Sequence, residues 1–306
     1  MNVLFIIYRR PDVTARAFAA IAAARPSHLY IAADGPRDDA EHTLCEAARR
    51  IVSHVTWPCE VARDYADRNL GCRARVSSAL DWFFGACESG IVLEDDCLAS
   101  PDFFWFCEEL LERYRDDERV VHISGETYRR QRGSEYSYYF SKYALTWGWA
   151  SWRRSWRAYD LQMRSWPDFR RQPEAAALYD TADEASYWDG VFQQMYEGRL
   201  ATWDYAWHYA CMTQGLSIHP AVNLVENVGS GSGGTNTVGD HPGLHRRAGT
   251  LERPLRHPAW AVRDRQADLD LFDDRLVGAI LKRQRSLRHQ VGRPGRWLSR
   301  ALRGGS

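Results

Sequence analysis

The chain has 306 residues, 45% hydrophobic and 26% charged, which is material for a large core and excludes a disordered or fibrous protein. Its first apolar run, Val3–Tyr8, is far too short to cross a bilayer, and Arg9-Arg10 follows that run instead of preceding it, so no signal peptide is read and a cytoplasmic location is expected. Formal net charge is +0, but nine basic residues and no acidic one lie between Arg275 and Ser306, leaving −9 on the rest of the chain.

In chain order, Val3–Tyr8 reads as a buried strand, Asp12–Ala24 as a helix stopping before Pro26, and His28–Ala33 as a second strand entering the turn Asp34-Gly35-Pro36. A helix over Asp38–Ser53, a strand over Trp57–Arg63 and a helix over Gly71–Ala86 follow. Gly90–Leu93 is then a strand ending in Glu94-Asp95-Asp96, Pro101 opens a helix to about Tyr114, and Val120–Ser124 is the next strand. This alternation predicts βα units and a mostly parallel sheet.

After Thr127 the pattern turns aromatic: eight of the thirteen tryptophans fall between Trp147 and Trp207. Tyr136–Tyr143 reads as a strand, and Ser151–Tyr159, Ala185–Tyr196 and Asp204–Thr213 read as helices. Gly229–Gly243 holds six glycines and reads as a mobile loop, and the arginine-rich C-terminus reads as a helical extension. We divide the chain into a βα-alternating half (1–127), an aromatic-rich half of the same domain (128–260) and a basic extension (261–306). Seven cysteines without a CxxC pair suit reduced structural thiols.

Ligands of open α/β sheets bind beyond the carboxyl ends of strands, so Arg9-Arg10, Asp34 and Glu94-Asp95-Asp96 are the positions to weigh. Three consecutive carboxylates after the buried run Ile91-Val92-Leu93 repel one another unless a cation sits among them; a hard divalent metal with a substrate phosphate suits such a place. A solvated acidic turn is the plainer alternative. Arginines near a metal match a diphosphate bidentately, and a diphosphate, a metal and a Trp-rich second half together suggest sugar transfer. Indoles also simply fill cores.

The motifs Val3-Leu4-Phe5-Ile6 with Arg10, Ala33-Asp34-Gly35, Asn69-Leu70-Gly71, Leu93-Glu94-Asp95-Asp96-Cys97, Pro101-Asp102-Phe103-Phe104, Trp147-Gly148-Trp149-Ala150 and Thr202-Trp203-Asp204-Tyr205 resemble, in order and spacing over about residues 1–230, the GT-A fold nucleotide-sugar glycosyltransferases. More narrowly, the chain resembles a bacterial group similar to the N-acetylglucosaminyltransferase I family, with its EDD form of the metal motif. The resemblance implies a Rossmann-like, mostly parallel sheet with flanking helices. It also implies that Asp96 ligates Mn²⁺ or Mg²⁺, that Glu94 and Asp95 address the donor's ribose and sugar, and that Asp34 binds the nucleobase. Arg10 would lie against the nucleotide, Trp147 and Trp149 would line the sugar site, and Asp204 would be the catalytic base. The family's Golgi anchor is not found, and the region after Asn227 matches poorly.

The expected partners are a nucleotide-sugar donor, with UDP favoured, and a carbohydrate or glycoconjugate acceptor of cell-surface synthesis. One base, one metal and no enzyme nucleophile describe a single inverting displacement. The basic stretch 275–306, with Trp297-Leu298 and Ala301-Leu302 among its arginines, suggests peripheral binding to an anionic inner membrane surface. No nucleic-acid partner is expected. The alternatives are a sugar-nucleotidyltransferase, which needs a glycine- and lysine-rich loop that Tyr8-Arg9-Arg10-Pro11 is not, and a non-catalytic carbohydrate- or nucleotide-sugar-binding protein. Asp204 could also be a helix N-cap, and Asp34 could simply make a turn.

Overall fold

The computed structural model describes residues 1–130, 135–229 and 246–276. Strand β1 (Asn2–Ile7) leads into α1 (Pro11–Ala24), β2 (His28–Ala33), α2 (Asp39–Ser53), β3 (Glu60–Tyr65), α3 (Gly71–Ala86) and β4 (Ser89–Glu94). Then come β5 (Cys97–Ala99), α4 (Pro101–Arg113), β6 (Val120–Ser124), β7 (Tyr138–Ser141) and β8 (Trp149–Trp152). Three short helices α5 (Arg153–Trp156), α6 (Trp166–Phe169) and α7 (Pro173–Ala177) precede α8 (Ala182–Tyr196), α9 (Asp204–Gln214), β9 (Leu216–Pro220), β10 (Val225–Asn227) and α10 (Arg265–Leu271).

The helix starts follow local chemistry. Pro11 and Pro101 occupy first-turn positions where no N–H is needed. Asp38 accepts from Glu41 N at 2.9 Å to cap α2, and Thr181 accepts from Glu184 N at 3.1 Å to cap α8. Helix α1 ends at Arg25, in the left-handed region at φ 50.

The main sheet has the order β3-β2-β1-β4-β8-β6-β9-β7. Strands β1, β2, β3 and β4 pair in parallel, β8 runs antiparallel between β4 and β6, β9 pairs parallel with β6, and β7 closes the edge antiparallel. This is the mixed α/β, mostly parallel architecture expected. The chain passes from β1 to β2 on one side and returns through β4 on the other, so strand order reverses between β1 and β4, the point where open α/β sheets form their ligand crevice beyond the carboxyl ends of the strands. The register Phe5↔Leu93 and Ile6↔Glu94 sets Tyr8–Arg10 beside Asp95-Asp96. A second ribbon pairs β5 with β10, Cys97 opposite Asn227, and so brings Val228 and Gly229 over the acidic turn.

Alternation along β1 divides the core. Val3, Phe5 and Ile7 face a cluster with Phe18, Ile21, Phe103 and Phe106; Leu4 and Ile6 face one with Leu80, Phe83, Trp149 and Trp207. A third cluster gathers Tyr143, Trp166, Trp188 and Phe192 with Leu271 and Phe272. Residues 261–276, expected to start the extension, are joined to the body: Asp264 N donates to Phe140 O (2.8 Å) and Asp268 accepts from Ser141 Oγ (2.5 Å).

Several expectations need correction. The helix predicted over Ser151–Tyr159 begins as strand β8, because insertion between β4 and β6 supplies ladder partners that outweigh helical composition; only Arg153–Trp156 is helical. The third strand lies at Glu60–Tyr65, beyond Pro58, where it aligns with β2. Strands β5, β9 and β10 were not expected. The glycine-rich segment, apart from Gly229, and the basic tail beyond Leu276 lie outside the described residues. Among the described residues no helix is long and apolar enough to cross a membrane. The seven cysteines are unpaired with one another.

Candidate active site

At the carboxyl end of β4 the acidic triplet meets the turn after β1. Tyr8 N donates to Asp95 Oδ2 at 3.3 Å, and the Arg10 guanidinium donates both to Asp95 Oδ1 and to Asp96 Oδ2, the latter at 3.0 Å. Asp95 is buried, whereas the Asp96 side chain keeps 18% of its surface. Burial works against charge on Arg10, but Asp95 and Asp96 overcome it and hold the guanidinium above its ordinary value. Burial also pushes the Asp95 carboxyl up to about 6, against the pull of Arg10.

Glu94 is pushed up to about 8, first by burial and then by the charges of Asp96, Asp95 and Asp204. The last of these comes from the other half of the chain. Asp204 opens α9 as its first helical residue; Trp203 holds the cap position, with no side-chain capping bond, so Asp204 does not serve as the N-cap. The Thr202 hydroxyl donates to Asp204 Oδ1. The structure thus brings Arg10, Asp95 and Asp96 into contact beside Glu94, and Asp204 lies near enough for its charge to act on Glu94.

The remaining expected residues are placed differently. Asp34 accepts from Gly35 N (2.9 Å) and Leu70 N (2.8 Å) on one oxygen and from Asn69 Nδ2 (3.0 Å) and Gly71 N (3.1 Å) on the other. A carboxylate has about four acceptor positions, and all are engaged in tying β2 to the start of α3, which leaves none for a nucleobase. The Trp149 ring is 0% exposed and lies among Phe84, His122, Trp156, Trp203 and Trp207, so it fills core and cannot line a sugar site. Trp147 is half-buried; its backbone N–H donates to Glu126 Oε2 at 3.1 Å.

One node was missed. Glu41 accepts from the Tyr8 hydroxyl, Arg9 Nη1, and Arg37 N and Nε, and Arg37 holds its carboxyl down to about 2. It fastens the loop after β2 to the loop after β1. The signal was present: Glu41 shares the buried face of α2 with Cys45, Ala48 and Val52, where a carboxylate is out of place without partners.

The oxygen-rich donor set fits a hard divalent cation, and a guanidinium already in contact with two of its carboxylates shows that the spot demands positive charge. Among the described residues no three His, Cys, Asp or Glu side chains surround one point, so the protein would supply one or two carboxylates, Asp96 foremost, and a diphosphate and water the rest.

No family model matches the chain, and no curated protein matches it. Solved structures with similar architecture include a mannosyltransferase from Pyrobaculum calidifontis in complex with GDP-Man and Mn²⁺ (12% identity, 51% of this chain and 46% of that one, TM-score 0.35). Others are mouse xyloside xylosyltransferase 1 (8%, 69% and 80%, 0.34) and a UDP-glucose pyrophosphorylase complexed with UDP-glucose (10%, 72% and 90%, 0.33). The chain spans less than half of the mannosyltransferase's length. At these identities and scores the likenesses assign no role to any residue.

Proposed function

We propose that the protein is a nucleotide-sugar-dependent glycosyltransferase that moves a sugar from a nucleoside-diphosphate donor, with UDP the first to test, to an acceptor hydroxyl. The observation that carries this reading is the acidic turn Glu94-Asp95-Asp96 at the reversal point of the sheet, engaged by Arg10 and reached by the charge of Asp204 from the start of α9. An in-line displacement needs donor-side acids on the sheet and a separate base on the acceptor side.

Asp204 takes the proton of the acceptor hydroxyl as that oxygen attacks the anomeric carbon, and the sugar inverts. Glu94 and Asp95, on the turn that carries Asp96, address the donor's ribose and sugar. Asp96 holds Mn²⁺ or Mg²⁺, which when bound neutralises the leaving nucleoside diphosphate as a Lewis acid. Half-buried Trp147 offers the sugar an indole face where Trp149 does not. The nucleotidyltransferase reading is less favoured, because the loop after β1, Tyr8-Arg9-Arg10-Pro11, carries no glycine- and lysine-rich triphosphate cradle.

Thermal shift with UDP-, GDP- and CMP-sugars in Mn²⁺ tests the proposal. A donor at 100 times its dissociation constant adds about 2.7 kcal/mol of stability. Stabilisation by one nucleotide class, lost in Asp96→Asn, supports it; no stabilisation by any of them contradicts it.

A further inference from the structure

We propose that Arg10 is the built-in counter-cation of Asp95 and Asp96, occupying the position of a divalent cation in the donor-free protein and yielding it when that cation and a nucleoside diphosphate are present. The inference rests on the metal-site reading above and goes beyond it by giving Arg10 two successive anionic partners.

The contacts around Asp96 carry the argument. Oδ2 accepts from Arg10 Nη2 at 3.0 Å and lies under the Gly229 backbone, where an added Cβ would come within 2.1 Å of that oxygen and 2.9 Å of Arg10 Nη1. Oδ1 faces the Cys97 thiol, with Sγ at 3.7 Å. Asp95 is closed in the same way, by Arg10 on Oδ1 and by Tyr8 N on Oδ2. A cation approaching the pair therefore meets the guanidinium, and two cations cannot share these oxygens without strong repulsion.

The exchange needs only a side-chain movement. The Arg10 carbonyl accepts from Thr14 N (2.9 Å) and Thr14 Oγ1 (2.7 Å), so its backbone is pinned to the first turn of α1 while the guanidinium remains partly exposed. A released guanidinium at this turn meets the diphosphate of a donor in the crevice, and its planar fork matches phosphate oxygens bidentately, as a lysine would not. Arg10 would thus stabilise the acidic pair before binding and the diphosphate after it.

Electron paramagnetic resonance titration of the nucleotide-free full chain with Mn²⁺ alone tests this. Arg10→Met removes the competitor and should bind Mn²⁺ at least ten-fold more tightly than the unaltered protein, Arg10→Lys should fall between them, and adding Asp96→Asn to Arg10→Met should abolish the gain. Calorimetric titration with UDP in saturating Mn²⁺ should reverse the order, Arg10→Met binding UDP at least ten-fold more weakly. Equal or weaker Mn²⁺ affinity in Arg10→Met, with binding still lost in Asp96→Asn, overturns the proposal and leaves the metal-site reading standing. Absence of any Asp96-dependent Mn²⁺ binding, both without nucleotide and in the presence of UDP, overturns both. If Arg10→Met does not fold, Arg10→Lys decides: tighter Mn²⁺ binding than the unaltered protein supports the exchange, and unchanged binding overturns it.

Discussion

The indole of Trp149 stacks on that of Trp203, with centroids 6.0 Å apart and planes inclined by 26°. Trp149 sits opposite Val92 on β4, two residues before Glu94, and Trp203 directly precedes Asp204. One aromatic contact therefore links β8, the neighbour of the strand that ends in the acidic triplet, to the residue proposed as base. A buried stack is a firm spacer, because interiors are close-packed and indoles have few rotamers.

Trp203→Ala should remove that spacer and destabilise the fold by about 3–5 kcal/mol, as large-to-small aromatic changes in cores do. Trp203→Phe, which keeps a ring in place, should lose much less. Urea unfolding of both variants checks this, and an Ala variant within about 1 kcal/mol of the unaltered protein would show that the stack bears no load.

Asp34 should behave as a structural clamp. Asp34→Ala leaves Leu70 N, Gly71 N and Asn69 without their acceptor and should cost about 2–3 kcal/mol. The preference among UDP, GDP and CDP in competition binding should stay as it was. A stable variant with altered base preference would restore Asp34 to the nucleobase site.

His122 should make stability fall in acid. Its Nδ1 accepts from Trp207 Nε1 (3.2 Å) while Nε2 faces Leu145 O (2.9 Å), and burial pushes the ring down to about 3 from 6.5. A group with a depressed folded value contributes stability that is present above pH 6.5 and is lost as pH falls toward 3, since only the unfolded chain takes the proton. Between pH 7.5 and 5 this single group removes about 2 kcal/mol. In His122→Gln the fall over that interval should be smaller by about that amount, measured by urea unfolding at both pH values; an unchanged fall would contradict the assignment.

Much of the first half was legible because its elements are short and sharply punctuated. His28–Ala33, Gly71–Ala86 and Val120–Ser124 lie where composition and turn residues put them. Strand β8 was not legible: Trp149–Trp152 is a strand only because β4 and β6 flank it, a long-range pairing with no local signature. The acidic turn could be found from its position after a buried run. Arg10's double contact could not, since it depends on β1 and β4 being neighbours, which is a matter of strand order. The Asp34 bonds arise likewise from the loop at Asn69–Gly71 folding back on β2, which local sequence does not disclose.

The most direct test of the proposed activity is single-turnover sugar transfer by Asp204→Asn, with the donor found by thermal shift. The variant keeps the shape of the side chain and removes the proton acceptor. Transfer should slow by ~10²–10⁴-fold with donor affinity and melting temperature nearly unchanged. Transfer at the unaltered rate per folded molecule would contradict Asp204 as the base and with it the division of labour between the two halves of the chain.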